Sequence, residues 1–267
     1  MRIVIIGTGN VATVMGRRLR QAGHELVQVF GRNAIGAEKL ATEFEATVET
    51  DPSQLYADAG LYLIAVSDAA IGSVAEWLRV PGKLVAHTAG SVSMSVLKNC
   101  SEKYGVIYPL QSLRKQTSAS TPLPLLIDGS NEDTRSTLIQ LAGSISDNVS
   151  LANDAQRSKF HIAAVIMNNF SNYLYTLAAD YCYNEKLDFR LLLPLVAETG
   201  ERLKTFAPKD VQTGPAVRND VETMAAHEQK LSEYPDLLEL YQMFSRKIKQ
   251  HNYFFFFFFL PAFISVS

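Results

Sequence analysis

The chain begins Met1-Arg2-Ile3-Val4-Ile5-Ile6 and runs without a break into Gly7-Thr8-Gly9-Asn10-Val11-Ala12. Few folds accommodate such a beginning. Four consecutive Ile or Val residues read as a strand buried on both faces of a parallel sheet. The glycine segment then opens a helical stretch through Met15, Leu19 and Ala22, closed by Gly23, and a second strand follows over Glu25 to Phe30. This pattern predicts a βαβ unit whose glycine turn joins the first strand to the helix.

That turn has a specific chemical use. Gly7 permits a tight turn, Gly9 leaves room for a phosphate against the backbone, and the small Ala12 lets helix and strand pack closely. A dinucleotide diphosphate would then rest on the free N–H groups at the positive end of the helix, among Gly7, Thr8, Gly9, Asn10 and Val11. The adenosine ribose is met about 20 residues further on, at the end of the second strand. There the sequence reads Phe30-Gly31-Arg32-Asn33, with no acid to accept from a ribose 2′-OH. Arg32 suits a 2′-phosphate, which favours NADP over NAD. The alternative is that Arg32 is a solvated loop cation.

Further strands are expected at Leu61 to Val66, Lys83 to Ala86, Gly105 to Tyr108, Leu123 to Ile127 and near Val149 to Leu151, with helices from Ile71 through Leu78 and from Thr134 to Ala142. Ligands of an open α/β sheet bind beyond the carboxyl ends of its strands. Val66, Ser67 and His87 therefore join the cofactor candidates. Ser67, Thr88 and Ser91 could equally be helix caps, and His87 either a satisfied half-buried side chain or an acid–base group.

Composition removes several classes of function. With 25 Lys and Arg against 27 Asp and Glu the net charge is −2, which supplies no field to gather nucleic acid. The two cysteines, Cys100 and Cys182, form no CxxC pair, so neither a disulfide framework nor a thiolate metal site is expected and a cytoplasmic setting fits. No signal peptide is read at the N-terminus. Tyr253 to Val266 is almost wholly apolar, with Phe254 to Phe259 unbroken. At 14 residues it is shorter than the roughly 18 to 20 that span a bilayer, so no membrane span is expected. A short tail anchor, an oligomer-contact strand and a reading-frame slip are the readings of this tail, and the slip is favoured because such a run is aggregation-prone.

From Asn153 the strand signal stops. A helix of roughly 45 Å is expected from about Ala155 to Leu187. His161, Asn168 and Asn172 follow one another at 7 and 4 residues, which places them on one face at about 100° per residue, with Lys159 nearly opposite His161. Such a polar stripe needs hydrogen-bond partners, within the protein or on a ligand. Thr213-Gly214-Pro215 reads as a helix start. Asp220 and His227, again 7 apart, form a carboxylate-oriented imidazole on one reading and, on the other, Asp220 is a first-turn acid beside the helix dipole.

The glycine motif, Ser67-Asp68, His87-Thr88-Ala89-Gly90-Ser91, Tyr108-Pro109-Leu110-Gln111, His161 through Phe170, and Thr213-Gly214-Pro215-Ala216-Val217-Arg218-Asn219-Asp220 together resemble the Rossmann-like proteins that carry a C-terminal helical "domain of unknown function 2520". The resemblance covers roughly residues 1 to 250. That family is similar to the pyrroline-5-carboxylate reductase, deazaflavin-dependent NADP reductase, and 6-phosphogluconate and β-hydroxyacid dehydrogenase superfamily. The resemblance implies an NADP-linked oxidoreductase with substrate at the junction of its two domains, and, by analogy, a homodimer. Tyr108 stands where the family pattern more often has His. The acid–base Lys of the hydroxyacid dehydrogenases has no match, since Lys159 lies off the polar face.

The expected architecture is α/β: a Rossmann-type doubly wound, mostly parallel sheet over 1–152, an all-α domain over 153–250, and an atypical Phe-rich tail over 251–267. The expected function is NADP(H)-dependent hydride transfer to or from a small polar substrate. His161 or His87 is the acid–base candidate, Asn168, Asn172 and Gln111 orient the substrate, and Arg218 and Asp220 complete the site. An NADP(H) sensor without catalysis is the alternative. A hydrolase holding metal on His87, His161 and His227 is disfavoured, because no HxH or HxxxH spacing occurs, and no metal is expected.

Overall fold

The computed structural model describes residues 1–258, with side chains through His251. The fate of the Phe-rich tail from Phe259 on therefore lies outside the described residues. The chain forms two compact units, Met1–Phe170 and the chain from Ser171 onward.

The first unit is built on an eight-stranded sheet: β1 (Arg2–Ile6), β2 (Glu25–Phe30), β3 (Thr47–Glu49), β4 (Leu61–Ile64), β5 (Leu84–His87), β6 (Lys103–Pro109), β7 (Leu125–Gly129) and β8 (Val149–Leu151). Their order is β3-β2-β1-β4-β5-β6-β7-β8. All neighbours are parallel except β6 and β7. Chain order reverses at β1, which lies between β2 and β4, and that reversal creates the crevice where such sheets bind ligands.

Alternation along the strands buries both faces. Ile3, Ile5, Leu61, Leu63 and Ala86 point into one core with α1 (Asn10–Gln21), α2 (Ala34–Phe44) and α4 (Glu132–Gly143). Val4, Ile6, Tyr62, Ile64 and Val85 point into the other, against α3 (Asp68–Trp77). The doubly wound, mostly parallel sheet expected from the sequence is thus present. The helix α2 and the short β3 carry weak sequence signals: β3 has three residues, none of them fully buried, so little apolar periodicity marks it.

The long helix expected from Ala155 to Leu187 is interrupted. Helix α5 (Asp154–Ala164) passes into a π-helical segment, Val165–Phe170, that ends the first unit, and α6 (Ser171–Asn184) begins the second. Hydrogen bonds five residues apart shift the angular phase, so a uniform 100° count does not carry from His161 through Asn168 to Asn172.

The second unit is helical: α6, α7 (Leu193–Arg202), α8 (Val221–Lys230) and α9 (Pro235–Phe258), with short 3-10 turns. The helix start expected at Thr213-Gly214-Pro215 is corrected. Gly214 and Asn219 adopt positive φ, +110° and +53°, so the segment forms consecutive turns. The helix begins after Asp220, which accepts the Thr223 N–H as its cap. Among the described residues no helix is long and apolar enough to cross a membrane.

Candidate active site

A cleft of about 760 Å³ opens at the carboxyl edge of the sheet around β1. Its floor is the glycine turn. Gly7 holds φ at +127°, a region reserved for glycine, and a Cβ there would lie 2.2 Å from the Ala65 carbonyl oxygen. Gly9 is different: a Cβ would meet nothing within 4 Å, so its missing side chain leaves open space on the cleft wall. Gly9 is also the N-cap of α1 and offers no side-chain acceptor, and the first turn carries no acid. The helix therefore presents free N–H groups and a positive pole to whatever enters.

Thr8, Asn10, Val11, Arg32, Val66 and Ser67 join Gly7 and Gly9 along the wall. The residues expected from the sequence to meet the cofactor thus line this cleft, except His87, which does not. Arg32 is exposed and has no ion pair among the described residues. Ser67 precedes α3 without spending its hydroxyl on a cap. Phe30 and Trp77, ring centroids 5.1 Å apart, form an apolar end suited to a flat ring. The donor set, the open glycine and the lone cation fit a phosphorylated dinucleotide.

Beside this cleft two titratable side chains meet. The Tyr108 hydroxyl and His161 Nδ1 are 2.9 Å apart, with the rings edge to face at 6.0 Å. Tyr108 comes from the end of β6 and His161 from α5. Gly90, just past β5, sits under both: a Cβ there would be 2.8 Å from Tyr108 Cζ and 2.9 Å from His161 Nδ1. Next to Gly90, the Ser91 hydroxyl donates to Asp68, which follows the cleft residue Ser67. Contacts thus run from the cleft wall to the pair. Tyr108 is nearly buried, and burial pushes its phenol pKa up, with the Asp68 charge adding to the effect. The phenol stays protonated, and its O–H is able to donate to Nδ1 of the imidazole tautomer that carries its proton on Nε2.

His87 occupies a different environment. It is fully buried, and its Nδ1 accepts the Ala89 N–H at 3.1 Å. Burial, followed by the nearby Arg157 charge, pushes its pKa down to about 4, so it is neutral at physiological pH. Arg157, equally buried, donates from Nε to the Ala89 carbonyl at 3.1 Å and from Nη2 to the Val92 carbonyl at 2.5 Å. It also pairs with Asp154 at 2.7 Å. Asp154 accepts from the Ser93 hydroxyl and the Met94 N–H.

The remaining candidates are scattered. Asn168, in the π-helical segment, donates to the Ser112 hydroxyl. Gln111 is bonded within its own loop, to Ser112 and Pro122. Asn172, Arg218 and Asp220 belong to the second unit. Asn172 and Arg218 are exposed. Asp220 spends both oxygens on Thr223, while His227 Nδ1 bonds the Tyr241 hydroxyl at 2.9 Å, so the two make no pair. Among the described residues no group of three His, Cys, Asp or Glu side chains could hold a metal.

Comparison with known proteins places these features in context. Residues 2–89 match the family described as NADP oxidoreductase coenzyme F420-dependent, and residues 123–248 match the domain of unknown function DUF2520. A Bacteroides fragilis protein, BF3122, provisionally named an NADP oxidoreductase, is 35% identical with a TM-score of 0.85, over 93% of this chain and 98% of that one. The 1-pyrroline-5-carboxylate reductase of Streptococcus pyogenes shares the fold at 15% identity and a TM-score of 0.67, over 94% and 98% of the two chains. A reductive aminase from Aspergillus terreus in complex with NADPH shares it at 14% and 0.58, over 86% and 77%. None of the curated proteins matches the chain. The fold is that of nicotinamide-dependent oxidoreductases, and the chain belongs to the family that joins an NADP oxidoreductase domain to a C-terminal DUF2520 domain.

Proposed function

We propose that the chain is an NADP(H)-dependent oxidoreductase acting on a small polar substrate beside Tyr108 and His161. The observation that carries this reading is the 2.9 Å contact between the Tyr108 hydroxyl and His161 Nδ1, reached by contacts from the wall of a cleft built for a dinucleotide. When bound, NADP(H) supplies or takes up the hydride. The protein manages the matching proton. With Tyr108 donating to Nδ1, His161 Nε2–H is the donor to the heteroatom of a C=O or C=N group in reduction, and the same Nε2 accepts the proton in the reverse direction. In this reading Asn168, bonded to the Ser112 hydroxyl, orients the substrate's polar groups.

Two measurements test this. His161→Ala is expected to lower kcat by roughly 10²- to 10⁴-fold, the range of a lost general acid, with NADPH affinity unchanged. Equal loss of both in steady-state kinetics and fluorescence titration contradicts the assignment. Arg32→Gln is expected to weaken NADPH binding roughly 10- to 100-fold, the equivalent of about 1.5–3 kcal/mol in charge-assisted bonds, and to leave NADH binding unaltered. A parallel loss for both nucleotides removes Arg32 from the 2′-phosphate.

The proposal extends to a homodimer working in the cytoplasm. Met167 in the first unit and Leu191 and Leu195 in the second are 69%, 77% and 64% exposed, and a second copy of the chain would cover such side chains. Both cysteines are free and buried, as suits a reducing compartment.

A further inference from the structure

We infer that His87, Arg157 and Asp154 form a positioning device: they clamp the Ala89–Met94 loop so that Gly90 holds the Tyr108–His161 pair in its hydrogen-bonded geometry. The inference rests on the reading of His161 as the proton-transfer group.

Both polar groups of the Ala89 backbone are taken by fully buried side chains, the N–H by His87 Nδ1 and the carbonyl by Arg157 Nε, each at 3.1 Å. Arg157 also holds the Val92 carbonyl, and Asp154 holds Ser93 and Met94. Gly90 follows Ala89 directly, and there is no slack above it, given contact distances under 3 Å for a Cβ built toward both catalytic rings. A shift of a few tenths of an ångström in the loop is therefore passed to the pair. Burying an arginine and a histidine is costly. Among the described residues Arg157 Nη1 makes no hydrogen bond, which marks a network retained for geometry and not for stability.

The device makes a distinguishing prediction. His87 is neutral, so its replacement leaves the charges that reach Tyr108, Asp68 and Arg157, as they were. An Asn side chain can offer Oδ1 where His87 offers Nδ1, whereas Ala offers nothing. His87→Ala is expected to lower kcat about tenfold or more, to leave NADPH affinity unchanged, and to displace the NMR titration of the His161 ring toward that of Tyr108→Phe. His87→Asn is expected to restore both kcat and the titration. With five histidines in the chain, the His161 resonance can be assigned by substitution.

If His87→Asn is as inactive as His87→Ala while the His161 titration stays in place, His87 acts directly and the inference is overturned. An unaltered kcat and titration in His87→Ala overturns it equally. Where His87→Ala does not fold, Asp154→Asn, at a carboxylate 38% exposed, carries the same expectation for kcat, and an unchanged kcat is the contradicting result. The titration needs no turnover, so it separates failure of the clamp from failure of the oxidoreductase reading.

Discussion

Replacing Gly90 by alanine is expected to lower turnover in the proposed reaction by about 10² or more, with folding and NADPH affinity expected to be retained. The added methyl would lie 2.8 Å from Tyr108 Cζ and 2.9 Å from His161 Nδ1, closer than non-bonded carbon and nitrogen approach. Something must move. The loop below is held at Ala89 on both polar groups, so the displacement falls on the two rings, and the 2.9 Å hydrogen bond between them is broken. Misplacement of a catalytic group by about 1 Å costs roughly a hundredfold in rate. The cleft wall contains none of these three residues, so NADPH affinity is expected to be unchanged. Steady-state kinetics with a parallel NADPH titration checks the result. Retention of full kcat would detach Gly90 and the pair from the chemistry.

The second large effect separates the two glycines of the turn. Gly7→Ala is expected to destabilise the first unit by about 3 kcal/mol or more, because a side chain is forced into a glycine-only backbone region and against the Ala65 carbonyl. In a unit of this size the melting temperature falls by on the order of 10 °C. Gly9→Ala is expected to melt where the wild type melts, since its Cβ meets nothing within 4 Å. Its methyl instead occupies the space a diphosphate needs against the backbone, so NADPH affinity drops by about tenfold or more. Thermal unfolding and nucleotide titration of both variants decide it. A Gly9 variant that binds NADPH normally would show that nothing approaches the backbone there.

Much of the fold was legible because its signals are local. The unbroken apolar strands, the glycine turn and the caps act within a few residues, and they mark β1, α1, β2, β4 and most of the later strands. The cleft wall was legible for the same reason, since the βαβ unit brings Gly7–Val11 and Arg32, and the end of β4 brings Ser67, to one sheet edge by topology alone.

What stayed hidden depends on contacts remote in sequence. Tyr108 and His161 are 53 residues apart, and periodicity on the helix of His161 carries no information about the strand that meets it. Gly90 had a faint signal, a small residue in an Ala89-Gly90-Ser91 run just past a strand. His87 reads in sequence as a polar strand end open to the crevice, yet the Ala89 N–H and the buried Arg157 turn it inward. The π-helical segment likewise leaves no composition mark, although it re-phases the stripe from His161 to Asn168.

Calorimetric titration of the purified protein with NADPH tests the core of the account. The cleft at the β1 switch point predicts saturable binding at one site per chain, weaker for NADH, and diminished in Gly9→Ala. Absence of heat with either nucleotide, in protein shown to be folded, would contradict it.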